Sequence, residues 1–396
     1  MSDKDRWLLP EGIEEILPAE AFRLEALRRR LLDLFFSCGY ELVMPPMIEF
    51  LESLLTGTGR DMDLQTFKLT DQLSGRMMGV RADMTPQAAR IDAHYLKRDF
   101  PARLCYVGTV LHTRPDEFAG SRELLQVGAE LFGHPGPQSD IEIVGLLLAA
   151  LQVAGLREVH MDLGHVGVFR QLATAAGLDA GVEGALFDAL QRKSRPEIDA
   201  LLGQCDIAAA AKQALAVLVD LNGDDGVLAR ARAQLSGTPA PVGQALDTLQ
   251  SVAASIRREY PDVPVYFDLA ELRGYRYYTG VVFSAFIPRH GYAVAQGGRY
   301  DGIGRAFGRA RAATGFSADL RLLAKLAPAA AAAHGGILAP FPDADALRER
   351  ISSLRAAGER VVVHLPGGDV GAAAHGCDRE LVERDGAWTV IPVGQS

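Results

Sequence analysis

The segment Arg122–Gly133 reads Arg-Glu-Leu-Leu-Gln-Val-Gly-Ala-Glu-Leu-Phe-Gly, and it constrains the fold more than any other part of the chain. Polar and apolar residues alternate along it, as in a β-strand with two different faces. Gln126, Gly128 and Glu130 share one face, and the missing side chain of Gly128 would leave a hole between two polar acceptors. The pattern predicts either a small-ligand site or an ordinary strand whose polar face lies in water.

Three further segments carry polar residues that fit the same site. Arg81, Asp83 and Thr85 share one face of an extended segment that leads into a helix. Residues 271–283 form a turn with paired tyrosines before an aromatic, β-branched strand, and residues 295–302 are rich in glycine. Carboxylate, hydroxyl and amide acceptors of this kind suit an ammonium group and an imidazole ring.

The order and spacing of these four segments resemble the catalytic core of histidyl-tRNA synthetase, a class II aminoacyl-tRNA synthetase family. The resemblance implies an α+β fold over residues 1–326, with an antiparallel sheet flanked by helices. It also implies a helical insertion at about residues 167–257, where the sequence is rich in Ala and Leu. The alanine-rich run 327–333 marks a boundary, and residues 334–396 are predicted to form a small α/β C-terminal domain.

In histidyl-tRNA synthetases a defined set of polar side chains holds the amino acid. The resemblance implies a histidine-binding set made of Asp83, Thr85, Gln126, Glu130, Arg273, Tyr277 and Tyr278. The first three would hold the amino group, Glu130 and Tyr278 would hold the imidazole, and Arg273 would serve the ligand carboxylate or the pocket wall. Asp83 stands where the family has glutamate and Arg276 where it has aspartate, so the pocket need not have synthetase geometry.

The residues with which synthetases bind ATP are altered. His112 stands at the motif 2 arginine, and Leu322 stands where motif 3 has its arginine. Asp319 replaces a motif 3 glycine and is expected to face the triphosphate with a like charge. Arg114 or Arg321 could take the missing roles only after a shift of one residue. The sequence therefore predicts that the ATP site is lost.

A chain that keeps the histidine pocket and loses the ATP site resembles the regulatory subunits of ATP phosphoribosyltransferase, and Arg81–Gln87 and Gly315–Leu320 are closest to that family. The resemblance implies a subunit without catalytic residues, metal or cofactor, which a short catalytic chain needs for activity and for histidine feedback in the first step of histidine biosynthesis. It further implies a homodimer, formed through residues 39–46, within a hetero-octamer. Two alternatives stay open: an active histidyl-tRNA synthetase with drifted motifs, and a stand-alone histidine-binding sensor.

Composition adds a few limits. The 396 residues are 48% hydrophobic, enough for a large core and more than one domain. A net charge of −9 disfavours a nucleic-acid partner. There is no long apolar run and no basic-then-apolar start, so neither a membrane span nor secretion is expected. Four scattered cysteines without pairing or metal-ligand spacing predict free thiols in the cytoplasm.

Overall fold

The computed structural model describes residues 7–57, 60–115, 121–272, 274–275, 277–288, 290–328, 335–367 and 371–394. The chain divides into two compact units, Met1–Ala327 and Pro328–Ser396. No helix among the described residues is long and apolar enough to cross a membrane.

The α-helices are, in chain order, α1 (Pro18–Ser37), α2 (Leu51–Leu54), α3 (Arg60–Gln65), α4 (Thr85–Arg90), α5 (Pro137–Val153), α6 (Val166–Ala176), α7 (Ala180–Gln191), α8 (Arg195–Gln204), α9 (Ala209–Ala216), α10 (Gly226–Gln234), α11 (Ala240–Glu259), α12 (Leu320–Leu326) and α13 (Asp345–Ala356). A π-helix follows α4, and the described 3₁₀-helices are short. Their bounds are Ile91–Leu96 for the π-helix and Val217–Asp220, Ile303–Phe307 and Ala372–His375 for the 3₁₀-helices.

The strands are β1 (Glu41–Leu42), β2 (Ile48–Phe50), β3 (Phe67–Thr70), β4 (Met77–Val80), β5 (Ala102–Leu111), β6 (Glu123–Phe132), β7 (His160–His165), β8 (Asn222–Gly223), β9 (Val265–Asp268), β10 (Val281–Phe286), β11 (Ala295–Arg299), β12 (Ala313–Asp319), β13 (Gly336–Ala339), β14 (Val361–Val363), β15 (Cys377–Arg384) and β16 (Ala387–Pro392). The strand predicted at residues 122–133 is β6. The sequence of residues 39–46 predicts a short strand that ends before Pro45 and Pro46, and the structure has β1 over two of these residues.

A nine-stranded sheet forms the centre of the first unit, in the order β1-β5-β6-β12-β11-β10-β7-β9-β8. Its middle strands are antiparallel, and the pairs β1–β5 and β7–β9 are parallel. Strand β6 lies between β5 and β12, so that Gly128 pairs with Tyr106 on one side and Glu130 pairs with Gly315 on the other. The residues of the predicted site therefore meet at the middle of the sheet.

Helices α1 and α5 bury their apolar faces beneath this sheet. In α1 the spacing of apolar residues that predicts an amphipathic helix gives four buried side chains: Leu24, Leu27, Leu31 and Phe35. The ring of Phe35 meets Phe316 of β12 edge-on, with centroids 6.2 Å apart. On the same side of the sheet, Cys105 of β5 is buried in this core next to Tyr106. One face of β5 and β6 is thus apolar core, which leaves the opposite face for polar residues.

Two smaller sheets complete the described structure. In the first unit β2, β4 and β3 form an antiparallel sheet in that order. In the second unit the order is β14-β13-β15-β16, with α13 supplying Leu347, Ile351 and Leu354 to a core of its own. The sequence of this unit predicts a helix at residues 344–357 and strands at 360–364 and 388–392, which correspond to α13, β14 and β16. Strands β13 and β15 were not predicted.

Candidate functional site

Glu130 lies at the centre of the polar face of the sheet and is only 1% exposed. The Tyr106 hydroxyl donates to its Oε1 at 2.8 Å, and the Tyr300 hydroxyl donates to its Oε2. A Cβ at Gly315, the neighbour on β12, would lie 1.5 Å from Oε2, so the carboxylate fits only because this position is glycine. Burial raises the pKa of Glu130 to about 8, although the two tyrosine hydroxyls oppose that shift.

The expected hole over Gly128 is filled, and this part of the sequence prediction is wrong. A Cβ at Gly128 would lie 2.6 Å from the Tyr106 hydroxyl oxygen and 2.7 Å from its ring. The ring of Tyr106 reaches across from β5 because the register places it directly opposite the glycine. Glycine at position 128 therefore makes room for the ring of Tyr106.

Asp83, Thr85 and Gln126 join the same network. The Gln126 amide donates through Nε2 to Asp83 Oδ1 at 2.7 Å, and its Oε1 accepts from the Met84 backbone N–H at 2.8 Å. Thr85 donates its backbone N–H to Asp83 Oδ1 at 3.0 Å, and its hydroxyl lies 3.0 Å from that of Tyr106. A continuous series of hydrogen bonds thus runs from Asp83 to Glu130.

The paired tyrosines form one wall of the site. The Tyr277 ring stacks on Tyr300, with centroids 5.1 Å apart and an interplanar angle of 19°. It also meets Tyr278 edge-on at 5.1 Å. The buried Tyr277 hydroxyl has no hydrogen-bond partner among the described residues. Burial and the nearby negative charges of Asp83 and Glu130 raise its pKa well above the ordinary value.

Tyr278 lies in the same wall, and the imidazole-binding role expected for it stays a prediction. Its ring packs between two glycines, because a Cβ at Gly274 or Gly298 would lie 2.7 or 2.8 Å from ring carbons. The hydroxyls bound to Glu130 are those of Tyr106 and Tyr300. Arg273 and Arg276 lie outside the described residues.

Charge in the site is unbalanced in the ligand-free chain. Neither Glu130 nor Asp83 forms an ion pair with a described arginine, lysine or histidine. Arg81, the nearest cation in the sequence, is buried and donates to the backbone oxygens of Thr109 (2.8 Å) and Pro45 (2.7 Å). Two carboxylates and an unbonded hydroxyl are complementary to a ligand that brings positive charge and N–H donors.

Sequence reasoning missed Tyr106 and Tyr300 as site residues. Tyr300 belongs to the glycine-rich segment 295–302, but its direction depends on the turn that follows β11. For Tyr106 the sequence contains one indication, which is Gly128. A glycine on the inward face of a buried strand leaves space that a large side chain on the neighbouring strand can fill. Using that signal requires the register of β5 against β6, which local sequence does not specify.

The residues at the expected ATP site have structural partners. His112 is buried and donates through Nε2 to the Ala82 backbone oxygen at 2.9 Å. The Asp319 carboxylate caps α12, accepting from the backbone N–H groups of Arg321 (3.0 Å) and Leu125 (3.2 Å). Asp319 is thus bound as a helix cap, which corrects the expectation that it faces a triphosphate. The Arg321 guanidinium donates to the Glu123 backbone oxygen at 3.1 Å.

Other ionisable residues show no metal site. No group of three or more His, Cys, Asp or Glu residues in the described part of the chain is placed to hold a metal ion. His165 caps α6 by accepting from the Gly167 N–H at 3.1 Å, and its burial lowers its pKa to about 4. His160 stacks on Phe286. All four cysteines are free thiols.

Comparisons with known proteins agree with this architecture. The family model of histidyl-tRNA synthetase matches residues 12–323, and that of the ATP phosphoribosyltransferase subunit HisZ C-terminal domain matches residues 334–391. Curated ATP phosphoribosyltransferase regulatory subunits from Thioalkalivibrio sulfidiphilus and Pseudomonas putida are 58% and 54% identical. The first alignment covers 98% of this chain and 99% of the relative, and the second covers 100% of both.

Solved structures give the same result. An ATP phosphoribosyltransferase regulatory subunit/histidyl-tRNA synthetase from Bacillus halodurans has a TM-score of 0.81 at 28% identity, covering 93% of this chain and 95% of that one. Histidyl-tRNA synthetase from Nostoc shares the fold, with a TM-score of 0.74 at 17% identity over 96% and 91% of the two chains. The fold and its central site define a class II protein of the histidyl-tRNA synthetase type. Within that class, the chain belongs to the family of ATP phosphoribosyltransferase regulatory subunits.

Proposed function

We propose that this chain binds free histidine in the central site and regulates a catalytic ATP phosphoribosyltransferase. The observation that supports the pocket most directly is the pair of carboxylates, Glu130 and Asp83, which lack a described cation and face the buried, unbonded hydroxyl of Tyr277. A buried carboxylate without a cation and a buried hydroxyl without a hydrogen-bond partner are costly unless a ligand supplies the charge and the partner. Histidine carries an ammonium group and an imidazole, and together these supply the missing charge and donors.

The two ends of the site suit the two ends of the ligand. Asp83, Thr85 and Gln126 offer acceptors to the ammonium group, as in the synthetase resemblance. Glu130 offers an acceptor to an imidazole N–H, and the hydroxyls of Tyr106 and Tyr300 hold its carboxylate in place. Tyr277 and Tyr278 form the wall, and Arg273 remains the predicted partner of the ligand carboxylate.

Calorimetry with purified protein tests the pocket. Glu130→Ala removes the imidazole acceptor, so histidine binding should weaken by about 1–3 kcal/mol, or roughly five- to hundredfold. Glu123→Ala is the matched control, because Glu123 begins the same strand but interacts with Arg321 at the edge of the site. Unchanged affinity in Glu130→Ala would place the histidine site elsewhere, and an equal loss in Glu123→Ala would make the effect unspecific.

We propose further that the partner is a short-form catalytic chain and that histidine is a feedback inhibitor. Histidine can inhibit only by binding the less active state of the complex more tightly, by about 1–3 kcal/mol for ordinary coupling. Activation of the catalytic chain should therefore survive in Glu130→Ala, while inhibition by histidine is lost. Equal turnover of the catalytic chain with and without this protein would refute the activating role.

The complex we propose contains a homodimer of this chain within a hetero-octamer in the cytoplasm. Several large apolar side chains near the predicted dimer segment are exposed in the single chain and would be covered by a second copy: Phe22, Phe36, Leu42, Met44, Met47 and Ile48. Native mass spectrometry of the chain alone tests the homodimer, and the same measurement with its catalytic partner tests the hetero-octamer. A monomer at micromolar concentration, unchanged by Met44→Asp, would contradict the dimer.

We propose that the chain forms no histidyl-adenylate. His112 and Asp319 are bonded to backbone groups of the protein, and Arg321 interacts with Glu123, which supports the loss of ATP binding. Histidine-dependent exchange between ATP and pyrophosphate should therefore remain at background. Exchange above background that histidine stimulates would restore the synthetase alternative.

A further inference from the structure

The turn that carries Tyr277 and Tyr278 faces the histidine pocket on one side and the helical insertion on the other. Towards the pocket, Tyr277 stacks on Tyr300. Towards the insertion, Arg170 of α6 donates through Nη2 to the backbone oxygens of Tyr275 (2.6 Å) and Tyr278 (2.9 Å). One guanidinium group therefore holds two carbonyls on either side of Tyr277.

Tyr275 strengthens this attachment to the insertion. Its hydroxyl donates to Glu183 Oε1 of α7 at 2.5 Å. Its buried ring lies 5.3 Å from the rings of both Phe169 and Phe187. The guanidinium carbon of Arg170 lies 4.8 Å from the same ring centroid, a distance typical of a cation–π contact. Helices α6 and α7 thus bind the tyrosine turn through the Arg170 guanidinium, the hydrogen bond from Tyr275 to Glu183 and aromatic packing.

The turn itself is tied together by hydrogen bonds. The backbone N–H groups of Tyr277 and Tyr278 both donate to the Gly274 oxygen, at 2.7 and 2.8 Å. A shift of the Tyr277 backbone relative to Glu130 therefore strains the hydrogen bonds from Arg170 to the Tyr275 and Tyr278 carbonyls. Hydrogen bonds from a charged donor to partly buried carbonyls are stronger than neutral ones, so such a shift is opposed.

We infer that Arg170 is the positioning residue through which the helical insertion sets the geometry of the histidine pocket. The inference rests on the proposed histidine site and deepens it by naming the element that responds to the ligand. Coupling between two parts of a protein is reciprocal. Histidine that moves the tyrosine turn therefore changes the packing of α6 and α7, and a change imposed on these helices alters the affinity for histidine.

Two variants and one control test this role. Arg170→Gln removes the charge and shortens the reach to both carbonyls, so histidine affinity should fall about tenfold. Tyr275→Phe keeps the ring packing and loses only the hydroxyl bond to Glu183, so a fall of about threefold is expected. Ile198→Val is the control, because it loosens the buried core of the insertion at α8 without touching the turn. Its affinity should equal that of the wild type.

Amide hydrogen exchange gives a second measurement that does not need a ligand. The Tyr277 and Tyr278 amides should exchange faster in Arg170→Gln than in the wild type and Ile198→Val. If wild type binds histidine and Arg170→Gln binds equally well, the inference is overturned. An equal loss in Ile198→Val also overturns it, because general stability then explains the effect. If wild type binds no histidine, the proposed pocket fails, and unchanged exchange at Tyr277 and Tyr278 would overturn the role of Arg170 separately.

Discussion

Two buried carboxylates of the first unit, Glu130 and Asp140, differ in how their charge is compensated. Asp140 of α5 accepts from the guanidinium of Arg299 at 3.0–3.1 Å, and Arg299 also donates to Ser139 Oγ at 2.7 Å. Glu130 is just as buried, but its described partners are the neutral hydroxyls of Tyr106 and Tyr300. Burial alone therefore does not distinguish the two carboxylates, whereas the presence or absence of a described cation does.

The electrostatic consequences of the two arrangements also differ. Burial raises the pKa of both carboxyls, but at Asp140 the positive charge of Arg299 opposes that rise. At Glu130 the pKa reaches about 8, so the ligand-free site takes up a proton near neutral pH. The charge of Asp140 is thus balanced by Arg299 within the protein, whereas Glu130 has no cation beside it among the described residues.

Breaking the paired carboxylate should give the largest effect. Arg299→Met leaves Asp140 buried without its cation, which typically costs about 3–5 kcal/mol of unfolding free energy. Urea unfolding at neutral pH measures the loss. The double variant Arg299→Met with Asp140→Leu should recover part of it, because the carboxylate that remains without Arg299 is that of Asp301, which is partly exposed to water. A loss below about 1 kcal/mol in the single variant would mean that water or another group already balances Asp140.

The second-largest effect is expected from a substitution that crowds the carboxylate of Glu130. Gly315→Ala places a Cβ 1.5 Å from the present position of Glu130 Oε2, so the carboxylate must move. We expect a loss of about 1–3 kcal/mol in stability and a clear loss of histidine affinity. Gly243→Ala in α11, where no heavy atom lies within 4 Å of the added Cβ, should be neutral or slightly stabilising. Equal melting temperatures for the two variants would contradict the close fit around Glu130.

The raised pKa of Glu130 predicts a pH dependence of stability. Between the ordinary pKa of a glutamate, 4.5, and the folded value of about 8, the folded chain binds more protons than the unfolded chain. The free energy of unfolding of the ligand-free protein should therefore fall as pH rises through this range, by at most about 1.4 kcal/mol per pH unit from this group. Urea midpoints measured across the range should be flatter in Glu130→Gln. An identical slope in that variant would assign the pH dependence to other groups.

The smallest effect on stability is expected at Tyr277. Its hydroxyl has no described partner to lose, so Tyr277→Phe should change the free energy of unfolding by less than about 0.5 kcal/mol, or raise it slightly. If histidine supplies that partner, the same variant should bind histidine about 1 kcal/mol more weakly. Thermal unfolding and calorimetry of one preparation give both values. A large loss of stability without ligand would show that the hydroxyl is already bonded.

The polar set of the pocket could be predicted because it depends on local pattern. The two-residue period of a strand places Gln126 and Glu130 on one face, and family resemblance adds Asp83 and Thr85. The side chains that fill the space between strands could not be predicted in this way. Tyr106 reaches Glu130 only because β5 and β6 pair in one particular register, and register is a non-local property.

The same distinction explains the other differences. The negative charge of Asp319 would repel a phosphate group. Its position immediately before α12, however, makes it the N-cap of that helix. In the second unit, β15 carries the consecutive charged residues Asp378, Arg379 and Glu380, and only Cys377 and Leu381 are buried, so the strand lacks the alternating apolar pattern that predicts a strand. Local sequence pattern therefore predicted where polar residues lie, and long-range packing decided which groups of the protein they contact.

The buried thiol of Cys105 offers a way to measure how often the core of the first unit opens. This thiol is buried in the apolar core directly beside Tyr106, and burial raises its pKa to about 12. A thiol reagent reaches it only when the core that it shares with α1 and α5 opens, whereas Cys38 is exposed in the folded chain. The rate at which Cys105 is alkylated thus records how often the apolar core on the other side of the sheet from Glu130 opens, and the natural sequence already contains the reporter.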